Sequence, residues 1–318
     1  MNMETRKHRF KTKLKEKLGA EYKVIFPQRL ENKEEKTLMV GIKKDGEAVG
    51  ICTYLNDSEI EWLDNEAGIQ SAVTKVIEEY KRKNEFLNGP QLAGDSFDEV
   101  KSKIVYTLDN GEENTEALKH IPYIRYYDMI AYFRILVTMD GESYARTVLN
   151  EDLSTWGVNL QDVLEAAQVN TPVLYPPVIQ RIGIEDGKVA AISIGDTLDE
   201  MLYYIESLPE QQKPMYVLSS KEGQYGAISM IDNHLLERIS DSCNDSLVIL
   251  PKDIHELILI PFSKNATPIT DWKDMIHAVN DLNRGEKLSE LVYLFDRADK
   301  KLRTANDDDF LGIKPGQK

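Results

Sequence analysis

Short apolar segments separated by tight-turn dipeptides are the feature that most restricts the fold of this sequence. Asp45-Gly46 and Asp140-Gly141 each lie between two apolar-rich segments, where Asp-Gly favours a β-hairpin. Strands joined by hairpins are antiparallel, whereas a doubly wound parallel sheet needs a crossover helix between its strands. We therefore predict an α+β protein, with mainly antiparallel sheets and helices packed on one face.

The pattern is clearest in the C-terminal third of the chain. Apolar runs at 247–250 and 257–260 predict two strands, and the second is expected to be covered on both faces because every position is apolar. The apolar run at 227–231 also predicts a strand. Residues 178–194 alternate too weakly for an assignment.

Chain-breaking residues suggest how the sequence is divided into domains. Asn88-Gly89-Pro90 marks a linker after a helix-strand-hairpin-helix pattern. We predict a small N-terminal α/β subdomain at residues 1–87, a middle α+β region at 95–210, a larger C-terminal α+β region at 211–300 and a polar tail at 301–318.

Composition and cysteine spacing indicate the cellular compartment. The two cysteines, Cys52 and Cys243, are far apart, which favours a reducing cytoplasm over a secreted disulfide scaffold. The charged start of the chain lacks the apolar stretch of a signal peptide. The apolar runs, such as that at 257–260, are far too short to cross a bilayer. These features predict a cytoplasmic protein without membrane insertion.

Charge is distributed unevenly along the chain. The net charge is −15, yet residues 1–17 carry +5, so the remainder carries −20. A helix is predicted there because Phe10, Leu14 and Leu18 recur every four residues. The candidate binding residues are the cations of this helix: Arg6, Lys7, Arg9, Lys11, Lys13, Lys15 and Lys17.

Two interpretations of this basic helix remain open. It could dock on an acidic partner, most simply another protein, on nucleic acid or on an anionic membrane surface, and it is the only segment through which nucleic acid could bind. Alternatively, it packs its narrow apolar stripe on the following sheet and leaves its lysines in water.

Chemistry-bearing motifs are few. His255, Glu256 and Asp253 are the best catalytic candidates, and Lys273 would complete a nuclease-like set, although neighbouring strand residues point to opposite faces. No histidine spacing predicts a metal site, and no motif predicts a cofactor. Asp307, Asp308 and Asp309 lie in the polar tail, where a solvated end is expected.

Aromatic and basic side chains also crowd one short segment. Such a composition is typical of interfaces and of stacking surfaces, although half of the aromatic residues could instead pack in the core beneath a strand. The segment contains Tyr123, Arg125, Tyr126, Tyr127, Tyr132, Phe133 and Arg134.

Several apolar strand and turn phrases resemble those of a known protein family. They are residues 128–135 (DMIAYFRI), 215–219 (MYVLS), 225–227 (YGA) and 250–256 (LPKDIHE). The chain resembles a family of uncharacterised bacterial proteins and, more distantly, the uncharacterised YtpQ family. This resemblance implies kinship of fold and assigns no activity to any residue.

We therefore predict a non-enzymatic binding or interaction protein. The first alternative is a hydrolase or nuclease whose site forms near His255 only in three dimensions. The second is an acidic mimic of nucleic acid, which would require the −20 charge to gather on one face.

Overall fold

A computed structural model describes residues 2–26, 38–45, 51–88, 96–111, 117–139, 142–185, 187–209, 212–262, 269–282 and 287–306. The helices in these ranges are α1 (Met3–Leu18), α2 (Asp57–Glu61), α3 (Glu66–Asn88), α4 (Phe97–Val100), α5 (Asn150–Trp156), α6 (Leu160–Leu174), α7 (Leu198–Ser207), α8 (Asn233–Cys243) and α9 (Ile269–Leu282). None of these helices is both long and apolar enough to cross a lipid bilayer.

The strands form three sheets. They are β1 (Tyr22–Ile25), β2 (Leu38–Lys44), β3 (Ile51–Leu55), β4 (Ile104–Asn110), β5 (Tyr123–Tyr126), β6 (Met129–Met139), β7 (Glu142–Thr147), β8 (Pro177–Glu185), β9 (Lys188–Ser193), β10 (Tyr216–Ser220), β11 (Leu247–Pro251), β12 (Leu257–Pro261), β13 (Tyr293–Asp296) and β14 (Lys301–Thr304). Every pairing whose register is described is antiparallel. The predicted α+β class is confirmed.

Contacts divide the chain into two compact units, each made of separate stretches. Unit 1 contains residues 1–103, 114–122 and 134–162, and unit 2 contains residues 104–113, 123–133 and 163–318. A third sheet, of four strands, has the order β4-β6-β5, with β7 paired with β6.

Unit 1 is organised around the three-stranded sheet β1-β2-β3. Along β3 buried and exposed residues alternate, so one face of the sheet points into a core and the other carries the exposed Cys52. Helices α1 and α3 pack against this core with the stripes that their sequences predict. The core includes Phe10, Leu14, Val24, Val40, Ile42, Leu55, Ile69, Val73 and Val76.

The start of α2 shows how a local sequence signal is satisfied in unit 1. The Asn56 side chain accepts a hydrogen bond from the Glu59 N–H, and the Glu59 carboxylate accepts one from the Asn56 N–H, which forms a capping box. Lys75 of α3 also pairs with Glu59. Burial would raise the pKa of Glu59, but the hydrogen bonds from Lys75 and Asn56 outweigh it and hold that pKa below its ordinary value.

Unit 2 contains a seven-stranded sheet in the order β14-β13-β11-β12-β10-β8-β9. All five residues of β11 are buried and four of the five in β12, as expected for strands covered on both faces. Trp272 of α9 packs with Val248, Leu250, Ile260 and Leu294 in one buried cluster. A capping box of Thr197 and Glu200 opens α7.

Three segments of unit 2 differ from the sequence prediction or complete it. The predicted strand at 227–231 is wrong, because Gly226–Ile231 forms a 3-10 helix. Helix α6 continues through Pro172, although a proline inside a helix usually ends or kinks it. The unassigned residues 178–194 form the hairpin of β8 and β9.

Candidate functional site

Helix α1 is anchored in unit 1 by its apolar stripe. The Asn2 side chain caps its N-terminus through the Thr5 N–H, and Gly19 ends it with φ +112°, a backbone conformation that favours glycine. Phe10 and Leu14 are completely buried in the core of unit 1. The apolar stripe of α1 therefore packs in the core, as the second interpretation of the basic helix predicts.

One group of these cations forms ion pairs within unit 1. Arg6 binds the Asp64 carboxylate through Nε and Nη2. Arg9 Nη2 lies 3.4 Å from Glu66 Oε2, and Lys13 Nζ lies 3.7 Å from Glu66 Oε1. These pairs tie α1 to the residues that lead into α3, so these three cations act as internal anchors.

Two further cations have local or exposed positions. Lys7 pairs with Glu4 one turn earlier, at 3.4 Å. Lys17 is exposed in the last turn of α1, where its positive charge interacts favourably with the helix dipole.

A second group of lysines forms a cluster of like charge, which we call the lysine patch. It consists of Lys11 and Lys15 of α1 with Lys23 of β1 and Lys43 of β2. Partial burial, with repulsion from Lys15 and Lys23, lowers the pKa of Lys11. Lys23 and Lys43 are direct cross-strand partners, which places both side chains on one face of the sheet.

The sequence-predicted catalytic residues lie in the turn between β11 and β12. Asp253 Oδ1 accepts hydrogen bonds from the N–H groups of His255, at 2.7 Å, and Glu256, at 2.9 Å. Lys252 Nζ pairs with the Glu256 carboxylate and lies 3.4 Å from Asp253 Oδ2. Lys252, Asp253 and Glu256 are all buried. One lysine thus pairs with both acids, and the Asp253 carboxylate also accepts the backbone hydrogen bonds that shape the turn.

His255 contacts a different segment. Its Nδ1 accepts a hydrogen bond from the Tyr225 N–H at 3.1 Å, so neutral His255 carries its proton on Nε2. The Ser219 hydroxyl donates to the His255 carbonyl rather than to the ring, at 3.0 Å. Tyr225 has φ +55°, and a Cβ on Gly226 would lie 2.5 Å from the His255 carbonyl oxygen. His255 therefore lies where the β11–β12 turn closely approaches the backbone of Tyr225 and Gly226, and its ring accepts a hydrogen bond from that backbone.

The geometry of the described residues does not support a nuclease-like site or a metal site. Asp253 and Glu256 are buried, whereas Lys273 of α9 is exposed. Within the described ranges, no group of three or more His, Cys, Asp or Glu side chains is placed to hold a metal ion. Asp307, Asp308 and Asp309 lie outside the described residues.

The aromatic segment divides between core and surface. Tyr132, Phe133 and Arg134 are buried, whereas Tyr127 and Arg125 are exposed. The Arg134 guanidinium donates to the Ala145 carbonyl across the β6–β7 pair. Among the aromatic residues, Tyr132 and Phe133 follow the core-packing interpretation. Tyr123 is half-buried in β5.

A polar network on the turn after β5 had no signal in the sequence. Tyr127 has φ +58°, and the next residue, Asp128, accepts hydrogen bonds from the hydroxyls of Ser289 and Tyr293 in unit 2. Tyr126 and Tyr127 donate their own hydroxyls to the carbonyls of Met230 and Leu302. Because its partners are far apart in the chain, this network could be found only from the structure.

Comparison with known proteins supports the family resemblance at a coarse level. Residues 3–297 match the model of a family of unknown function, DUF5688. Comparison with curated proteins and with solved structures gives no significant match. Because the family model covers nearly the whole length, the chain belongs to the DUF5688 family of unknown function.

Proposed function

We propose that this protein is a non-enzymatic binding protein that docks an acidic protein segment on the lysine patch of unit 1. The observation that carries the proposal is the concentration of like charge at Lys11, Lys15, Lys23 and Lys43. Like charges spaced i, i+4 on a helix, or opposite each other in a sheet, are destabilising. Carboxylates of a partner would relieve this repulsion. The same repulsion that destabilises the folded protein therefore favours binding of an acidic segment.

The other cations of α1 support the same division of roles. Arg6, Arg9 and Lys13 already meet Asp64 and Glu66 within unit 1. In the patch, the charged neighbours that lower the pKa of Lys11 are Lys15 and Lys23. An incoming acidic segment therefore meets a positive potential on this side of α1.

An acidic protein segment fits this surface better than nucleic acid. The chain outside residues 1–17 carries −20 and would repel a long polyanion beyond the patch. Screening over about 8 Å at physiological salt lets a short acidic segment reach the lysines without feeling most of that charge.

The test measures binding of two defined probes by fluorescence anisotropy. One probe is a labelled deca-glutamate peptide, and the other is a labelled deca-thymidine oligonucleotide. We expect the protein to bind the peptide more tightly, with affinity falling as salt rises. Because Phe10 and Leu14 are core residues, deletion of α1 would damage the fold, so point substitutions are required.

The critical variant replaces Lys11, Lys15 and Lys23 with glutamine. It should bind the peptide about tenfold to a hundredfold more weakly, since each exposed ion pair contributes up to about 1 kcal/mol. A matched control replaces three exposed lysines outside the patch, Lys81, Lys221 and Lys301, with glutamine. Equal losses in both variants, or tighter binding of the oligonucleotide, would overturn the proposal.

The proposed cellular location and bacterial source rest on the sequence. We propose that it works in a bacterial cytoplasm, and the kinship with the YtpQ family stays a prediction. The hydrolase or nuclease near His255 and the acidic mimic also stay predictions. The contacts of Asp253, His255 and Glu256 favour a turn-building role over the former.

A further inference from the structure

The β8–β9 hairpin of unit 2 extends past the strand that supports it. β10 pairs with β8 from Pro177 to Arg181, and the Ile182 N–H donates to the Met215 carbonyl at 2.8 Å. From Gly183 to Glu185, β9 is the strand partner of β8 in the described structure. A two-stranded ribbon is at best marginally stable in water, so an additional strand would stabilise this part.

One face of the ribbon is aliphatic and open. The register pairs Ile182 with Ala191 and Ile184 with Val189, and these four side chains share a face because their positions alternate by two. Ile184 and Val189 are each 77% exposed. On the opposite face the Arg181 guanidinium lies against Gly183, where a Cβ would be 2.6 Å from Nη1. The apolar face therefore has a large area to bury.

The outer edge of β9 lacks the features that keep sheet edges from pairing. Natural edges are protected by charges, prolines or bulges. β9 has one charge, Lys188 at its start, followed by Val-Ala-Ala-Ile-Ser, and its six pairs with β8 run without a bulge. The opposite edge of the same sheet, β14, carries both Lys301 and Arg303 within four residues. The two edges of one sheet thus differ in protection.

We propose that β9 pairs antiparallel with β9 of a second copy of this chain, so that the sheet continues across a two-fold axis. Charge favours this occupant. The chain carries −15 overall, but residues 177–195 contain two basic and two acidic residues and are locally neutral. Two copies can approach here without the repulsion expected elsewhere on the surface.

The symmetry fixes the register. A two-fold axis perpendicular to the sheet keeps each residue on its own face, so opposite residues must be both odd-numbered or both even-numbered. Centring the axis on Ala190 places Val189 opposite Ala191 of the second copy and keeps the face apolar. Centring it on Ala191 would place Ser193 opposite Val189 instead. The geometry therefore points to Ala190 at the axis.

The size of the contact sets the expected strength. With Ala190 at the axis, residues 188–192 of the two copies pair. This short contact, with two exposed aliphatic side chains per copy, buries less than the roughly 1,200 Å² of a standard stable interface. The dimer should accordingly be reversible and dependent on protein concentration. It shares no residue with the lysine patch, so either proposal can fail without the other.

Sedimentation velocity of the full chain over a concentration series tests the proposal. The variant V189K places a charge on the unprotected edge twice per dimer, and we expect the dissociation constant to rise about a hundredfold. The matched control is V173K, because Val173 of α6 is also an exposed valine, 71% accessible, outside the hairpin. Circular dichroism checks that both variants keep the fold.

A cysteine cross-link tests the register independently. In a C52S background, which removes the exposed native thiol, A190C should form a disulfide-linked dimer under mild oxidation, whereas V173C should not. A wild-type chain that stays monomeric to sub-millimolar concentration overturns the proposal. Equal effects of V189K and V173K, or equal cross-linking at positions 190 and 173, also overturn it.

Discussion

The buried ion pair of Arg146 and Asp152 gives the most direct test of the energetics of unit 1. Arg146 of β7 and Asp152 of α5 have side chains that are each 5% exposed, and Nη1 lies 2.7 Å from Oδ2. The same Asp152 oxygen accepts a hydrogen bond from the Leu149 N–H at 2.7 Å. The substitution D152A removes both interactions and leaves a buried guanidinium without its counter-ion.

The expected loss follows from these two contacts. Breaking a buried pair by removing one partner costs about 3–5 kcal/mol. Loss of the cap at the start of α5 adds about 1 kcal/mol. Within the described structure, Nε and Nη2 of Arg146 have no hydrogen-bond partner that could compensate. We expect D152A to lower the free energy of unfolding of unit 1 by about 4–6 kcal/mol.

Urea unfolding followed by tryptophan fluorescence measures this loss. The substitution W272F removes the tryptophan of unit 2 and leaves Trp62 and Trp156, both in unit 1, as reporters. With a slope of about 2 kcal/mol per molar urea, the midpoint should fall by about 2–3 M. The control D98A breaks the exposed Lys101–Asp98 pair of unit 1, whose side chains are 53% and 83% accessible, and should shift the midpoint far less.

Two results would refute the reasoning. The first is a loss for D152A no larger than that for D98A. The second concerns the double variant R146M/D152L, which replaces the pair by apolar side chains and should recover stability to within about 1 kcal/mol of the parent. If the double variant is as unstable as D152A, then packing, and not an uncompensated charge, explains the loss.

Three further predictions concern single side chains. The folded pKa of Glu59 is depressed, so its stabilising contribution is present above its ordinary pKa of 4.5 and is lost as pH falls through the folded pKa. The free energy of unfolding should therefore depend less steeply on pH in the acid range for E59Q than for the parent, and equal slopes would contradict this. Y293F removes a hydroxyl that binds the Asp128 carboxylate and should cost about 1–3 kcal/mol in thermal unfolding, whereas a negligible change would argue against the network. G226A places a Cβ 2.4 Å from the Ser219 Cα, so its urea midpoint should fall by an amount equivalent to at least about 2 kcal/mol, and an unchanged midpoint would contradict the close approach.

Local signals in the sequence were sufficient for those elements whose ends and buried stripes are encoded side by side. The repeat of Phe10, Leu14 and Leu18 followed by Gly19 predicts α1, and the structure has the same C-terminal boundary. The capping boxes at Ser96 and Thr197 open the helices that they predict. In each case the residues that decide the structure lie within a few positions of one another.

Other features depend on contacts that the sequence does not reveal. Five of the six residues in Gly226–Ile231 are buried, so the run has no periodicity that separates a 3-10 helix from a strand. The partners of Asp128 lie 161 and 165 residues away. Likewise, seven cations in one helix appear equivalent in sequence, and only the positions of Asp64, Glu66 and Lys23 separate the anchors from the patch.

The interleaved connectivity of the two units has a consequence for synthesis on the ribosome. The chain passes from one unit to the other five times between residues 103 and 163, so no single cleavage releases either unit intact. Unit 1 can be completed only after residue 162 has emerged, and β4 and β5 gain their contacts with Gly226–Ile231 only after that segment has emerged. Strand β4 is almost entirely buried in the finished protein, so its apolar surface stays exposed during this interval. A nascent chain of this topology is therefore most prone to aggregation after β4 has emerged and before Gly226–Ile231 has followed.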